Sequence, residues 1–424
     1  MAPAPREVRL RAAPHIPKTP RLSLAFVLTT LVIDAMGIGL ILPVMPDLIR
    51  EVRGGSLGEA AVWGGILATG FAAMQFLFGP VLGAFSDAFG RRPVLLVSLA
   101  AMAADYLVMA LTDSIWVLLA ARIVGGILAA THATAMAFVA DISRPEDKAR
   151  RFALTHAAYG AGFVIGPLIG GLLGALGPRA PFYAAAAVAL ANMALGFLVL
   201  PETVTDRIRR PLSWRRANPF GAIAHVTHLP GLGRLLAVLA VYEFALFVYP
   251  AIWAYFTPLR FGWDSTMVGL SLAAFGIGYT IVQAVLVGPV IGWLGEERTI
   301  LLGLAFETCI LATLGVITSG PLALMLTPAS AFGSVAVPAL QGVMSKRVGD
   351  DAQGELQGVV TSVLSLATLL APLVMTQVFY LSTREAAAWH HPGAAFLLAS
   401  LLMVGCVVLY LTGTRRPQAD AERG

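Results

Sequence analysis

The chain has 424 residues, of which 58% are hydrophobic and only 12% charged, about half the charged fraction of a soluble globular domain. So long and apolar a chain has too little polar surface to be a water-soluble globule, and lipid must be its solvent. The formal net charge of +5 is placed asymmetrically, which makes it a topology signal and not a nucleic-acid footprint.

In chain order, residues 1–21, rich in Pro and Arg, read as a cytoplasmic tail. A cleavable signal peptide is the rival, but no small-residue cleavage site follows the first apolar run. Runs of about 20 apolar residues, each enough to cross ~30 Å of hydrocarbon, follow at 22–44, 60–82, 93–112, 115–139, 152–175 and 180–200. A Pro- and Arg-rich segment, 201–232, reads as a cytoplasmic linker. Six more runs occupy 233–257, 266–292, 298–318, 321–344, 356–380 and 393–413, and 414–424 is a second tail. The runs lack the alternation of barrel strands. Satisfying every backbone polar group in lipid then leaves an all-α protein of twelve transmembrane helices, divided into bundles over 22–200 and 233–413. With the N-terminus inside, 23 Lys and Arg residues fall in cytoplasmic segments, 5 in outer loops and Arg122 within a span. That bias puts both termini in the cytoplasm.

The halves repeat one plan. Gln75 precedes Gly79-Pro80-Val81-Leu82-Gly83, and Gln283 precedes Gly288-Pro289-Val290-Ile291-Gly292; Gly166-Pro167-Leu168 is echoed by Ala371-Pro372-Leu373. The order matches and the offsets, 209 and 205 residues, are close, as a duplication requires, and two parallel six-span repeats place a substrate site near midplane between them. The predicted turn after the second run, Gly83-Ala-Phe-Ser-Asp87-Ala-Phe-Gly90-Arg91-Arg92, joins two bend-permitting glycines to charges of both signs at the bilayer edge.

Five ionisable residues lie deep in spans: Asp34, Asp105, Arg122, Glu243 and Glu307. Each costs ~2.5–3.5 kcal/mol at a helix centre, so they are expected to face the bundle interior. There the acids can exchange protons as access changes sides. Plainer readings are an interhelical hydrogen bond for Asp105, snorkelling for Arg122 and a structural role for Glu243. His132 and His156 read as core histidines, and Cys309 and Cys406 as packing residues outside any redox pair. The sequence holds no HExxH, CxxC or P-loop, so transport driven by an ion gradient is favoured over enzymatic chemistry.

Four stretches carry a resemblance: IDAMGIGLILPVMP at 33–46, GRRPVLLVSL at 90–99 with Asp105-Tyr106 following, RFGW at 260–263, and PALQGVMS at 338–345. Over about 22–412 the chain resembles the tetracycline-efflux antiporters of Gram-negative bacteria, drug/proton antiporters of the major facilitator superfamily. The Gly-x-x-x-Asp-x-x-Gly-Arg-Arg turn is similar to that superfamily's signature loop, and RIVGGILAA around Arg122 to its proton-coupling motif. GFVIGPLIGG resembles the antiporter motif, whose Gly162, Gly166, Pro167, Gly170 and Gly171 suit close packing across the two halves.

The resemblance implies coupling or binding roles for Asp34, Gln75, Asp105, Arg122 and Gln283. Glu307 stands where the family has a ninth-span Asp, and Tyr279 where it has an eighth-span His. Both are carried as substrate contacts, with Glu307 and the additional acid Glu243 as coupling groups. Gly83, Asp87, Gly90, Arg91 and Arg92 form a cytoplasmic gate, with Asp141 as an Arg partner; Ala88 departs from a position usually basic. The implied partners are a small-molecule drug, protons and lipid, with no nucleic acid, in a monomer of the bacterial inner membrane. No resident cofactor is implied, but a divalent cation such as Mg accompanies the drug as a chelate. Another drug or a metabolite on the same scaffold is the alternative, and a non-transporting membrane enzyme or sensor a remote one.

Overall fold

The structure is a computed structural model that describes residues 20–204, 209, 212, 232–348, 353–387 and 389–414. Both predicted tails, apart from residues 20, 21 and 414, and most of the predicted linker lie outside these. Twelve helices are long and apolar enough to cross a membrane. Spans 1 to 6 are Leu22–Ile41, Leu57–Phe89, Arg91–Leu111, Ile115–Ile142, Arg150–Gly174 and Ala180–Val199. Spans 7 to 12 are Gly233–Phe261, Ser265–Leu294, Glu296–Val316, Gly320–Lys346, Gln353–Thr383 and Ala394–Thr412. They form two six-helix bundles, and odd-numbered spans run from the face at which the described chain begins and ends, at residues 20 and 414, to the far face.

Local chemistry sets the helix ends. Span 2 starts with a capping box: Ser56 Oγ accepts from the Glu59 N–H at 3.2 Å, and the Ser56 N–H donates to Glu59 Oε2 at 3.0 Å. This pairing satisfies N–H groups that the first turn leaves free. Residues 54–58 spell Gly-x-Ser-x-Gly, but Ser56 is thereby a helix cap. Span 2 then runs unbroken to Phe89, and only Gly90, at φ 120°, turns the chain into span 3. The tight turn expected from Gly83 is thus confined to Gly90, and Gly83 is helical. Asp264 caps span 8 by accepting from the Met267 N–H at 2.8 Å.

Four spans are irregular within the membrane. Span 4 is interrupted at Ala129–Ala130 and span 7 at Phe247. Span 8 holds a π-helical turn at Val282–Leu286, and span 10 a 3₁₀ stretch at Ala331–Val335. Such departures free backbone groups that only a protein interior or a wet cavity can satisfy.

Among the described residues, the bundles meet along spans 2 and 11, along spans 5 and 8 and, less extensively, along spans 2 and 7, from about the midplane to the far side. Thr69 Oγ1 donates to the Leu369 carbonyl and Thr266 Oγ1 to the Gly171 carbonyl, each at 3.3 Å. Gly58 packs on Tyr380 and Thr383, and Gly65 on Pro372 and Thr376. Toward the face holding the chain ends the spans part. A Cβ added at Gly79, Gly83, Gly160, Gly288, Gly292 or Gly354 would meet no atom within 4 Å. Among the described residues, nothing closes the space between the bundles at these positions on that face.

The antiporter-motif glycines divide differently from expectation. Gly162 lies against Val32 and Ala35, Gly166 against Met36 and Gly39, and Gly170 against Leu40, all in span 1 of the same half. Gly171 alone of the motif glycines faces the other half, at Ser265, Thr266 and Gly269, while Pro167 touches both Gly39 and Gly269. Residues four apart share a helix face, so 162, 166 and 170 address one neighbour. Residue 171, about 100° further round, addresses another.

Candidate functional site

A cavity of about 430 Å³ lies between the bundles. Asp34 of span 1, Gln75 of span 2, Asp105 of span 3 and Arg122 of span 4 all line it, with aromatic walls from Phe71, Tyr106, Tyr159, Phe163, Phe247 and Tyr255. Four polar residues from four spans, singled out in the sequence, thus converge.

Their states differ. Arg122 Nε donates to Asp105 Oδ1 at 3.2 Å, and Nη2 makes a second, short contact with Oδ2. The guanidinium also sits 4.7 Å from the Phe71 ring centroid, a cation–π arrangement. Gly125, one turn along, admits the carboxylate, since a Cβ there would lie 3.2 Å from Asp105 Cγ. Arg122 therefore turns inward to a partner and does not snorkel. Asp34 is 8% exposed and makes no hydrogen bond or ion pair among the described residues; Tyr106 and Tyr159 are its electrostatic neighbours. It is an unpaired acid on the wall of an open cavity.

The second-half residues stand elsewhere. Glu307, Tyr279 and Gln283 do not line this cavity, contrary to the expectation that they contact the substrate there, and Glu243, expected as a coupling acid, lies outside it on span 7. Glu307 is 1% exposed and accepts from Tyr249 Oη at 3.0 Å. It fills the space left by the missing side chain of Gly333, where a Cβ would lie 3.0 Å from Glu307 Cβ. The 3₁₀ stretch thus makes room for the acid inside its own bundle. Gln283, on the π turn of span 8, donates to Ser334 Oγ on that same stretch at 3.1 Å. Tyr279 stacks on Phe275, centroids 6.2 Å apart, and Glu243 is part-buried on span 7. Among the described residues, no three His, Cys, Asp or Glu side chains are grouped to hold a metal ion.

At the face holding the chain ends, the charged turn forms a cluster. Arg91 Nη1 pairs with Asp87 at 2.5 Å, and Arg91 Nε donates to Asp141 Oδ2 at 3.1 Å. Asp141 thus sits where an arginine partner was expected. Arg92 Nη2 donates to the Phe197 carbonyl at 2.7 Å. The sequence reading missed Glu202. Its carboxylate accepts from the N–H groups of Arg91 at 2.9 Å and Arg92 at 3.2 Å. These are among the orphan donors that open span 3, where a negative charge is favoured. Thr203 Oγ1 donates to Asp141 at 3.2 Å, so residues 202 and 203 close over the cluster. An acid that caps a helix more than a hundred residues away leaves no local signature in sequence.

Residues 27–372 and 235–424 match the family model of the Major Facilitator Superfamily. The class C tetracycline resistance protein of Escherichia coli is 40% identical, over 91% of this chain and 95% of its own. The class G protein of Vibrio anguillarum is 38% identical, over 92% and 96%. Among solved structures, the nucleoside transporter NupG superposes with a TM-score of 0.73 at 11% identity, covering 93% of this chain and 99% of its own; it shares the fold. The chain belongs to the major facilitator superfamily and, within it, to the family of the tetracycline resistance proteins, which makes it a multi-pass membrane transporter and not an enzyme.

Proposed function

We propose that the protein exports an amphipathic drug, tetracycline first among candidates, in exchange for protons. The observation that carries this reading is an unpaired acid, Asp34, in an aromatic-walled cavity beside a paired acid, Asp105. The names of its relatives support drug efflux, and the Lys and Arg bias supports an inner-membrane chain with both termini in the cytoplasm. In that orientation the structure is open to the cytoplasm.

The chemistry follows from the two acids. An ionised Asp34 can hold the cationic part of a drug, or a divalent ion chelated by it, because carboxylate oxygens suit hard cations. A protonated Asp34 cannot. Proton and cargo thus exclude one another, which is the requirement for exchange. The Asp105–Arg122 pair fixes the facing wall, and Gln75 adds a neutral donor and acceptor. Alternating access moves 22–200 against 233–413 about the linker 201–232, with Asp87, Arg91, Arg92 and Asp141 steadying the cytoplasmic side. Glu307, under Tyr249, and Glu243 serve as coupling acids of the second half outside the cargo cavity. The cavity is complete within one chain, so a monomer suffices.

Tyr279 and Glu307, which replace the family's His and Asp, favour a second reading: a different drug or a metabolite on the same scaffold. A susceptibility panel of an efflux-deficient bacterium expressing the chain separates the two. Raised tetracycline resistance, lost in Asp34→Asn, is expected. A panel unchanged for tetracycline would refute the first reading.

A further inference from the structure

His132 is not a core histidine. It is the second residue after the interruption of span 4, where the chain turns at Ala129 and Ala130 and restarts its helix at Thr131. His132 shares a helix face with Arg122, Gly125 and Ala129, spaced three, seven and ten residues along, and the interruption adds Thr131 to the same wall. Discontinuous helices at midplane are a recurrent way of building transporter sites. Among the described residues the imidazole makes no hydrogen bond, and its Nδ1 is buried without a partner. Sheltering such a group is unfavourable unless something else satisfies it, and the cavity that His132 lines is where a partner can enter.

The ring is held in a defined plane. It meets Tyr159 edge-on, centroids 4.9 Å apart at 73°. Tyr159 in turn lies 6.4 Å from Phe163 at 32°, and both line the cavity. A neutral imidazole offers one donor and one acceptor in its ring plane. Beside two aromatic rings, that pattern matches a flat polycyclic compound carrying hydroxyl and carbonyl oxygens along one edge.

We propose that His132 is a specificity-determining cargo contact, hydrogen-bonding the oxygen-bearing edge of a planar aromatic compound that lies against Tyr159 and Phe163. The inference rests on the drug-export reading above. It assigns His132 a task distinct from that of Asp34, which takes the cation or the proton.

The test is equilibrium binding of radiolabelled tetracycline to the purified full chain in nanodiscs. His132→Phe keeps a planar ring against Tyr159 but removes both nitrogens; His132→Asn keeps a donor and an acceptor. Loss of one such hydrogen bond is expected to weaken binding about tenfold in His132→Phe, while His132→Asn stays within about threefold of wild type. A second measurement needs no variant to fold. Saturating tetracycline should protect His132 of the wild type from diethyl pyrocarbonate, read by peptide mass spectrometry. Wild-type binding with equal affinity in His132→Phe, or with His132 unprotected, would overturn this inference alone. A wild type that does not bind tetracycline would overturn the export reading and this inference with it.

Discussion

Gly269→Ala tests whether contact between spans 5 and 8 holds the bundles together at the far face. A Cβ added at Gly269 would lie 3.0 Å from Gly171 Cα and closer still to the Pro167 carbonyl oxygen. Both are backbone atoms, so no rotamer change relieves the overlap, and the spans must separate. Overpacking of this kind costs about 1–3 kcal/mol. The cost falls on the conformer closed at the far face and not on one open there. At ~1.4 kcal/mol per factor of ten, the equilibrium shifts toward the far-face-open conformer by roughly 5- to 150-fold. Gly288→Ala is the control, because its added Cβ meets no atom within 4 Å in this structure. Double electron–electron resonance between spin labels at the far-face ends of spans 5 and 8 reads the populations. Expected is a longer-distance population in Gly269→Ala and a wild-type distribution in Gly288→Ala, set against one label pair. An unchanged distribution in Gly269→Ala would refute the assignment of this contact as the closure.

Three further outcomes are expected. Arg122→Ala strands the Asp105 carboxylate, a loss of about 3–5 kcal/mol for a buried pair; the purified protein should melt earlier, and adding Asp105→Asn should recover stability without recovering transport. Glu307→Gln should abolish efflux while tetracycline affinity stays within about threefold, because Glu307 lies outside the cavity; a matching loss of affinity would return it to the binding site. Glu202→Gln removes a negative charge from the N-terminus of span 3, worth about 0.3–1 kcal/mol. It should slow turnover with little change in binding, and a defect confined to affinity would contradict its place at the gate.

Much of this was legible in the residues. Apolar runs report span number because the bilayer sets their length, and Asp34, Asp105 and Arg122 meet, with the polar amide of Gln75, because charged and polar side chains in lipid have few places to go. The signature turn located Arg91 and Asp87, and the inner end of span 4 supplied Asp141 as an arginine partner; the three sit together in the structure. What could not be read depends on rotation and on local helix form. Gly162, Gly166 and Gly170 face span 1 because of their four-residue period, which a motif read as one interface conceals. Glu307 and Gln283 turn into their own bundle through a 3₁₀ stretch and a π turn that no propensity announces. His132 shares the helix face of Arg122, Gly125 and Ala129, a spacing that the reading as a core histidine overlooked, while the break at two alanines, residues that favour helix in isolation, has no signature in propensity.

The most direct test of proton-coupled export is tetracycline uptake by everted membrane vesicles, with wild type and Asp34→Asn compared under an imposed pH gradient. Expected is wild-type uptake that a protonophore abolishes and that Asp34→Asn lacks. Uptake that survives the protonophore, depends on ATP, or persists undiminished in Asp34→Asn would contradict the mechanism.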